Sequence, residues 1–401
     1  MSHQPLRQAI DPLDPLHLDG LLSEEELLVR DTVRRFVGDR VLPDVGEWFD
    51  QGTFPREMAQ AFGDLGLLGM HLEGYGCAGT SATAYGLACL ELEAGDSGAR
   101  SFVSVQGSLA MFPIWAFGSE EQKQEWLPRM AAGTAIGCFG LTEPDSGSDP
   151  SSMRTTARQL PNGDWVLNGT KMWITNGSIA DVAVVWAVTD PEGPDNGAVR
   201  GFVVPTDTPG FSAPVIHKKV SLRASITSEL VLQEVHLPAG AVLPNVTGMR
   251  GPLSCLNEAR FGILFGACGA ARACYESALS YSLERVQFGK PIASFQLTQK
   301  KLTEMAIAVH TGTLLSMHLG RMKDAGTLAT PQVSIGKLNN VAMALRVARE
   351  ARAILGANGI TLEYPVVRHM VNLESVYTYE GTNEIHTLIV GNALTGIPAF
   401  G

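Results

Sequence analysis

The chain has 401 residues, of which 45% are hydrophobic and 18% charged. At about 150 residues per domain this length predicts two to three domains. So much apolar chain excludes a disulfide-stapled miniprotein or a disordered tail. With a formal net charge of −11, the chain lacks the excess of basic residues that is typical of a nucleic-acid-binding protein. No apolar run reaches the roughly 18 residues of a membrane span, so we expect neither a nucleic-acid nor a membrane partner.

The cysteines and histidines show no metal-binding spacing. The sequence contains no C-x-x-C pair and no H-x-x-x-H or H-E-x-x-H pattern, so we expect no metal site. The six cysteines lie mostly in apolar runs, which favours buried free thiols. Residues 1–20 lack the apolar region of a secretory signal. We therefore expect a soluble protein of the reducing cytoplasm.

Residues 1–135 are predicted to form an N-terminal helical domain. Ser23 and Ser119 each begin an S-x-x-E/Q capping box, in which a hydroxyl and a carboxylate or amide satisfy the first free amides of a helix. A further helix is predicted from Ser81 to Glu93.

Residues 136–249 change to short β-branched and aromatic runs separated by turns, such as Val182–Val188 and Leu230–His236. This pattern predicts a central antiparallel β-sheet, barrel or sandwich domain and not a βαβ array.

Residues 250–401 return to long patterns rich in alanine and leucine, at Leu253–Arg285, Leu302–Lys323 and Gln332–Leu355. These exceed the mean helix of about 11 residues, which indicates a C-terminal helical bundle. The predicted fold class is therefore α+β.

A glycine-rich segment, Gly74–Gly79, matches the G-x-G-x-x-G pattern of dinucleotide-binding proteins. That function requires a preceding strand within a βαβ unit, whereas Glu57–Gly69 is predicted to be helical. We therefore expect an interhelical loop, and an NAD-dependent dehydrogenase remains the alternative from another class.

Two segments beside the β region could contact a ligand. The Thr142–Asp149 loop, rich in Pro, Gly, Ser and Asp, offers free amides to an anion or a heterocycle edge, although by itself it is typical of an Asx turn. Trp173 offers a flat face with the Thr175 hydroxyl close by. The residue pattern alone favours a tryptophan buried in the sheet core.

Glu380 and Arg100 are the charged candidates. Glu380 precedes a helix expected to begin at Thr382 or Asn383; the helix start favours an ionised carboxylate, while apolar enclosure raises its pKa. Such a carboxylate can act as a general base, although the pattern alone favours a solvated glutamate. Arg100 lies at an apolar junction and needs a carboxylate partner, which is Glu93, Asp96 or a ligand. With Glu93 alone as its partner, Arg100 is structural.

In this order the segments resemble the acyl-CoA dehydrogenase family from about Asp14 to Phe400 and, within it, most closely the subfamily that acts on glutaryl-CoA. The matching segments are Tyr75–Gly79, Asp96–Gly98, Arg100–Ser101, Ser104–Gln106, Cys138–Pro144, Ser146–Met153, Leu222–Ser225, Arg285–Gly289, Gln299–Leu302 and Tyr379–Thr382.

The resemblance implies an FAD flavoprotein, usually a homotetramer, with a helical domain, a β domain and a four-helix bundle. It assigns the cofactor to residues on three parts of the chain, some of them across a subunit interface. These are Phe139, Leu141, Thr142, Ser148, Trp173, Ile174, Thr175, Arg285, Gln296, Leu355, Gly356, Ala357, Asn358, Gly359, Thr382 and Phe400.

The resemblance also implies that Glu380 removes the α-proton of an acyl-CoA, that Arg100 holds the distal carboxylate of glutaryl-CoA, and that CO2 leaves to give crotonyl-CoA. Electrons then pass to an electron-transferring flavoprotein. The residues it assigns to the substrate are Glu93, Arg100, Ser101, Ser148, Leu253, Asn257, Arg260, Tyr379 and Gly381.

One departure from the subfamily bears on the substrate. Ala99 stands where an aromatic residue usually precedes the arginine, whereas Glu93 and Tyr379 match the decarboxylating members. A dehydrogenase of another dicarboxylyl-CoA or a short-chain acyl-CoA that does not decarboxylate therefore stays open, as does a silent acyl-CoA-binding relative, which Glu380 argues against.

Overall fold

The computed structural model describes residues 10–190 and 197–399. Its first part is helical, and the two capping boxes predicted at Ser23 and Ser119 are both present. A π-helical segment, Val105–Met111, continues helix α5 into helix α6. The helices are α1 Glu24–Arg40, α2 Val45–Gln51, α3 Met58–Asp64, α4 Ala82–Gly95, α5 Ser97–Ser104, α6 Phe112–Phe117 and α7 Glu120–Ala131.

The middle of the chain forms a seven-stranded sheet in the order β1-β4-β2-β3-β7-β6, with β5 paired to β4. The sheet is mixed: β4 pairs in parallel with β1 and with β2, so the prediction of a purely antiparallel sheet was wrong in this respect. The strands are β1 Gly137–Gly140, β2 Thr156–Gln159, β3 Trp165–Thr175, β4 Val182–Thr189, β5 Val199–Pro205, β6 Phe211–Ser212 and β7 Thr227–Leu237.

The last part of the chain is again helical and contains a short hairpin, β8 Val286–Gln287 with β9 Lys290–Pro291. Its helices are α8 Arg250–Glu284, α9 Gln296–Asp324, α10 Thr330–Leu355, α11 Pro365–Thr378 and α12 Asn383–Thr395. Within the described ranges, no helix is both long enough and apolar enough to cross a bilayer.

Helix α4 of the first part packs closely on helix α8 of the last part, so the two helical regions share one hydrophobic core. Glycines on α8 permit this approach. A Cβ added at Gly269 would lie 1.9 Å from the Leu90 carbonyl oxygen, and one at Gly266 would lie 2.0 Å from Glu93 Oε2. A side chain at either position would therefore push the helices apart.

We predict that Gly269→Ala destabilises the protein by roughly 1–3 kcal/mol or more, because the new methyl group overlaps backbone that cannot move freely. The measurement is the free energy of unfolding in denaturant. Gly38→Ala is the matched control: Gly38 is exposed in the last turn of α1 with no atom within 4 Å of an added Cβ, and this change should leave the stability unchanged or raise it by less than about 1 kcal/mol. Equal effects of the two substitutions would contradict the close α4–α8 contact.

Candidate active site

Glu380 lies in a four-residue link between α11 and α12. Its backbone has a φ of +53°, in the left-handed region that costs energy for any residue with a side chain. Thr382 caps α12 by accepting a hydrogen bond from the Ile385 amide at 3.3 Å, so of the two predicted caps Thr382 is the one used.

The Glu380 side chain is half-buried, with one of its two carboxylate oxygens enclosed by protein. Its Oε2 atom is buried and makes no hydrogen bond within the described residues. Burial raises the pKa of Glu380, while the positive charges of Arg100, Lys337 and Arg260 oppose that shift. The expectation of a solvated glutamate was therefore wrong, and the group has the environment of a general base.

Arg100 is 1% exposed and its partner is Glu93, whose Oε2 accepts from Arg100 Nε at 2.6 Å. Nη2 of Arg100 donates to the Tyr379 hydroxyl. Burial raises the pKa of Tyr379 to about 12, so that hydroxyl stays protonated. Asp96, a second candidate partner, instead binds Arg368 and Asn372 of α11.

Arg100 retains donor capacity despite its pairing with Glu93. Its hydrogen bonds occupy Nε and Nη2, and Nη1 has no partner among residues 10–190 and 197–399. The Ser101 hydroxyl beside it is also buried and lies within reach of the Tyr379 hydroxyl. Because a guanidinium with an unused N–H donor binds carboxylates well, Arg100 is suited to a bound anion in addition to its structural pairing with Glu93.

The N-terminal third of α8 contributes Leu253, Asn257 and Arg260, which lie on one face at helical spacing. Arg260 Nε donates to the Glu380 carbonyl oxygen at 2.7 Å. Asn257 Oδ1 is buried and accepts no hydrogen bond within the described residues, while Leu253 is 43% exposed. This helix face therefore places polar and apolar groups beside the Glu380 turn.

Trp173 lies on β3 at an irregularity in the pairing with β7, between Lys171 and Ile174. It has a φ of +64° and its side chain is 57% exposed, so the expectation of a core tryptophan was wrong. A β-bulge re-aims side chains, and here it presents an indole face outward. Ile174 turns its side chain into the sheet core, and Thr175 is half-buried.

The loop after β1 is attached to this bulge. The Met172 amide donates to the Thr142 carbonyl oxygen at 2.8 Å. Lys171, which is fully buried, donates to the Leu141 carbonyl at 3.1 Å and to Glu143 at 2.8 Å. Phe139 and Leu141 are buried and Ser148 is exposed. The loop therefore brings Thr142 beside the strand segment that carries Trp173, while Asp149 forms the expected Asx turn with the Ser151 amide at 3.2 Å.

The remaining predicted cofactor residues lie at the other end of the bundle. The Asn358 amide donates to the Tyr281 hydroxyl at 3.1 Å, which joins the Leu355–Gly359 turn to the end of α8 near Arg285. The Ile292 amide donates to the Arg285 carbonyl at 2.8 Å, just before Gln296. At 1.5 Å per residue, Arg285 lies about 37 Å along α8 from Arg260. One chain does not bring these two groups of residues together, and Phe400 lies outside the described residues.

The glycine-rich segment Gly74–Gly79 lies between α3 and α4 without a preceding strand in the described chain. The context that dinucleotide binding requires is therefore missing, which removes the basis for an NAD-dependent enzyme.

Sequence reasoning missed two residues of the site. Lys337, 2% exposed, donates to the carbonyl oxygens of Tyr379 and Gly381. His386 contacts the Glu380 carbonyl through Nε2 at 3.2 Å, and burial lowers its pKa to about 3. Lys337 could have been identified from the sequence, because it is a lysine among the apolar positions of α10. The residues around His386 in the sequence give no such indication.

Comparison with known proteins agrees with this geometry. Residues 23–134, 138–235 and 247–395 match the N-terminal, middle and C-terminal domains of acyl-CoA dehydrogenase. A glutaryl-CoA dehydrogenase from Mycobacterium smegmatis, solved with FADH2, is 60% identical, with a TM-score of 0.95 over 98% of this chain and 100% of that chain. The short-chain specific acyl-CoA dehydrogenase of Megasphaera elsdenii is 36% identical over 88% of this chain and 94% of its own length.

A chain in a solved structure described as the electron transferring flavoprotein of Acidaminococcus fermentans is 33% identical, with a TM-score of 0.89 over 93% of this chain and 98% of that chain. The three matched domains leave only short segments of the chain unassigned. The chain belongs to the acyl-CoA dehydrogenase family.

Proposed function

We propose that this enzyme is an FAD-dependent glutaryl-CoA dehydrogenase that converts glutaryl-CoA to crotonyl-CoA and CO2. The observation that carries the proposal is the juxtaposition of Glu380, whose Oε2 is buried without a hydrogen-bond partner in the described chain, with Arg100, whose Nη1 makes no hydrogen bond to the described residues. The 60% identity to a glutaryl-CoA dehydrogenase solved with FADH2 supports both the substrate and the cofactor.

FAD fits the residues present. The exposed indole of Trp173, held out of the sheet by a strained backbone, is suited to a flat aromatic ring system, and the Thr142 segment adjoins it. Bound FAD supplies the acceptor for the hydride equivalent that leaves the β-carbon. The residues that would hold the flavin end are Phe139, Leu141, Thr142, Ser148, Trp173, Ile174, Thr175 and Thr382.

Glu380 removes the proton from the α-carbon of the thioester. A general base works best when its pKa lies near the operating pH, and burial raises the pKa of this carboxyl group toward that range. The oxygen of the developing enolate then needs preorganised donors. Leu253, Asn257, Arg260, Ser148 and Gly381 would hold the acyl-CoA around this carbon.

Arg100 holds the distal carboxylate of the substrate, with Ser101 beside it. After oxidation, the bond between the γ-carbon and the carboxylate carbon breaks, CO2 leaves, and the electron pair enters the conjugated thioester as a dienolate. Glu380, protonated in the first step, returns its proton to this dienolate. Glu93 and Tyr379 keep Arg100 oriented throughout.

The second group of cofactor residues implies assembly. The end of α8 near Arg285 lies about 37 Å along the helix from Arg260 and the Glu380 turn. Gln296 and residues 355–359 lie at this far end, and Phe288 beside them is 94% exposed. Val286 and Leu297 in the same segment are 52% and 76% exposed, and a group of exposed apolar side chains is typical of an interface. We infer that these residues complete the FAD site of a neighbouring copy in a homotetramer, and that an electron-transferring flavoprotein removes the electrons.

A short-chain acyl-CoA dehydrogenase is the second candidate, favoured by the 36% identity to the short-chain specific enzyme of Megasphaera elsdenii. The two functions differ at Arg100, because a short monocarboxylyl chain has no distal charge for a buried guanidinium to hold.

The product assay tests the proposed function. The purified protein should carry FAD and, with glutaryl-CoA and a dye acceptor, release crotonyl-CoA and CO2. Glu380→Gln should retain FAD and lose on the order of 100- to 10,000-fold in kcat, because the general base is gone. Glutaconyl-CoA without crotonyl-CoA would exclude decarboxylation, and an active Glu380→Gln variant would exclude Glu380 as the base.

We predict that Arg100 decides the preference for a dicarboxylyl substrate. Arg100→Met should be made together with Glu93→Gln, so that no carboxylate is left buried without a partner. Compared with Glu93→Gln alone, the ratio of kcat/KM for glutaryl-CoA to that for butyryl-CoA should fall on the order of 100-fold. Equal losses on both substrates would remove Arg100 from recognition.

Shared cofactor sites predict complementation between two inactive variants. Arg285→Ala should lose FAD, while Glu380→Gln should retain it without activity. Dissociating and reassembling the two together should restore part of the wild-type activity, because some sites then combine an intact Glu380 with an intact Arg285 from another chain. Mixtures that stay as inactive as the separate variants would place both residues in sites of the same chain.

A further inference from the structure

The turn that carries Glu380 has an unfavourable backbone. Glu380 and Gly381 have consecutive φ angles of +53° and +90°. For a residue with a side chain, such a conformation costs about 1–3 kcal/mol and persists only where the surrounding structure holds it. Other parts of the chain must therefore hold this turn.

Three successive carbonyl groups of the turn are held by side chains from other helices. Lys337 of α10 donates to Tyr379 O and, at 2.6 Å, to Gly381 O. Between them, Glu380 O accepts from Arg260 Nε of α8 at 2.7 Å. Lys337 thus spans the turn from one side of Glu380 to the other.

Burial of Lys337 is otherwise unexplained. Its side chain is 2% exposed, and a buried ammonium group is costly unless it is paired or hydrogen-bonded. Within the described residues Lys337 forms no ion pair, and both of its hydrogen bonds go to this turn. Burial lowers the pKa of Lys337 itself to about 7, so below that pH its ammonium charge acts on the turn and on the carboxyl group that the turn presents.

We propose that Lys337 is a positioning residue for Glu380: it fixes the strained turn through the carbonyls on either side and directs a positive charge at the carboxyl group. The inference rests on the proposed function, in which Glu380 is the general base.

The direction of the pH effect follows from the charges around Glu380. Arg100 of α5, Arg260 of α8 and Lys337 of α10 all favour the ionised carboxylate against burial. His386 of α12 faces the turn in its neutral form, because burial lowers its pKa to about 3. Removing Lys337 should therefore raise the pKa of Glu380 further, and the base should remain protonated to a higher pH.

Lys337→Met tests the proposal in the FAD-loaded enzyme. We expect kcat to fall on the order of 100-fold, as for a displaced catalytic group, with KM changed less than about threefold. The acid limb of the kcat profile should move to higher pH. Lys301→Met is the control: Lys301 lies on α9 and pairs with Glu350, and its removal should leave both quantities unchanged.

Lys337→Gln is a second variant that keeps N–H donors but no charge, in case the methionine variant does not fold. It should retain more of kcat than Lys337→Met and still show the displaced acid limb. A crystal structure of either variant should show Glu380 departing from its φ of +53°. An unchanged acid limb and an unchanged turn in an FAD-loaded variant would overturn the inference. An active Glu380→Gln enzyme would instead overturn the proposed function, so the two failures are distinguishable.

Discussion

Burial of the Glu93–Arg100 ion pair where α4 packs on α8 is the constraint on which the site depends. Removing one partner of such a buried pair costs about 3–5 kcal/mol of stability. Both side chains are therefore held in one conformation. Gly266 leaves the space that Glu93 occupies, and the Tyr379 hydroxyl completes the contact from the link between α11 and α12. The interaction that joins the two helical regions thus also fixes a guanidinium whose charge favours the ionised form of Glu380.

Two of the residues proposed to meet ligands are among the eight residues other than glycine that have a positive φ in the described chain. Trp173 and Glu380 both have φ angles in the left-handed region, and each presents its side chain where regular structure would not. Trp173 is exposed by a bulge whose base is secured through Lys171 and Thr142. Glu380 is held by donors from α8 and α10. In both cases the cost of the conformation is met by hydrogen bonds from neighbouring elements, as expected where preorganisation matters.

Local chemistry predicted much of the fold. Ser23 and Ser119 begin helices because the hydroxyl and the residue three positions later satisfy the same free amides, a relation contained within four residues. The parallel pairing of β1 with β4 depends instead on residues as far apart in sequence as Gly137 and Val182 and has no local signal. Trp173 and Glu380 were misjudged for the same reason: composition favours a core tryptophan and a solvated glutamate, and only tertiary contacts reverse these preferences. Lys337 acts on residues more than 40 positions away, so its role could not be predicted from its neighbours.

The length of α8 has a consequence for the isolated subunit. In the proposed assembly, this unbroken helix of 35 residues would separate two parts of the flavin site, so a correctly folded monomer would contain no whole flavin pocket. Dissociation of subunits and dissociation of flavin would then be coupled, because each bound dinucleotide would contact two subunits. Diluting the protein and depleting flavin should therefore have the same effect. The affinity for flavin would therefore depend on subunit assembly, and hence on the protein concentration as well as on the flavin concentration.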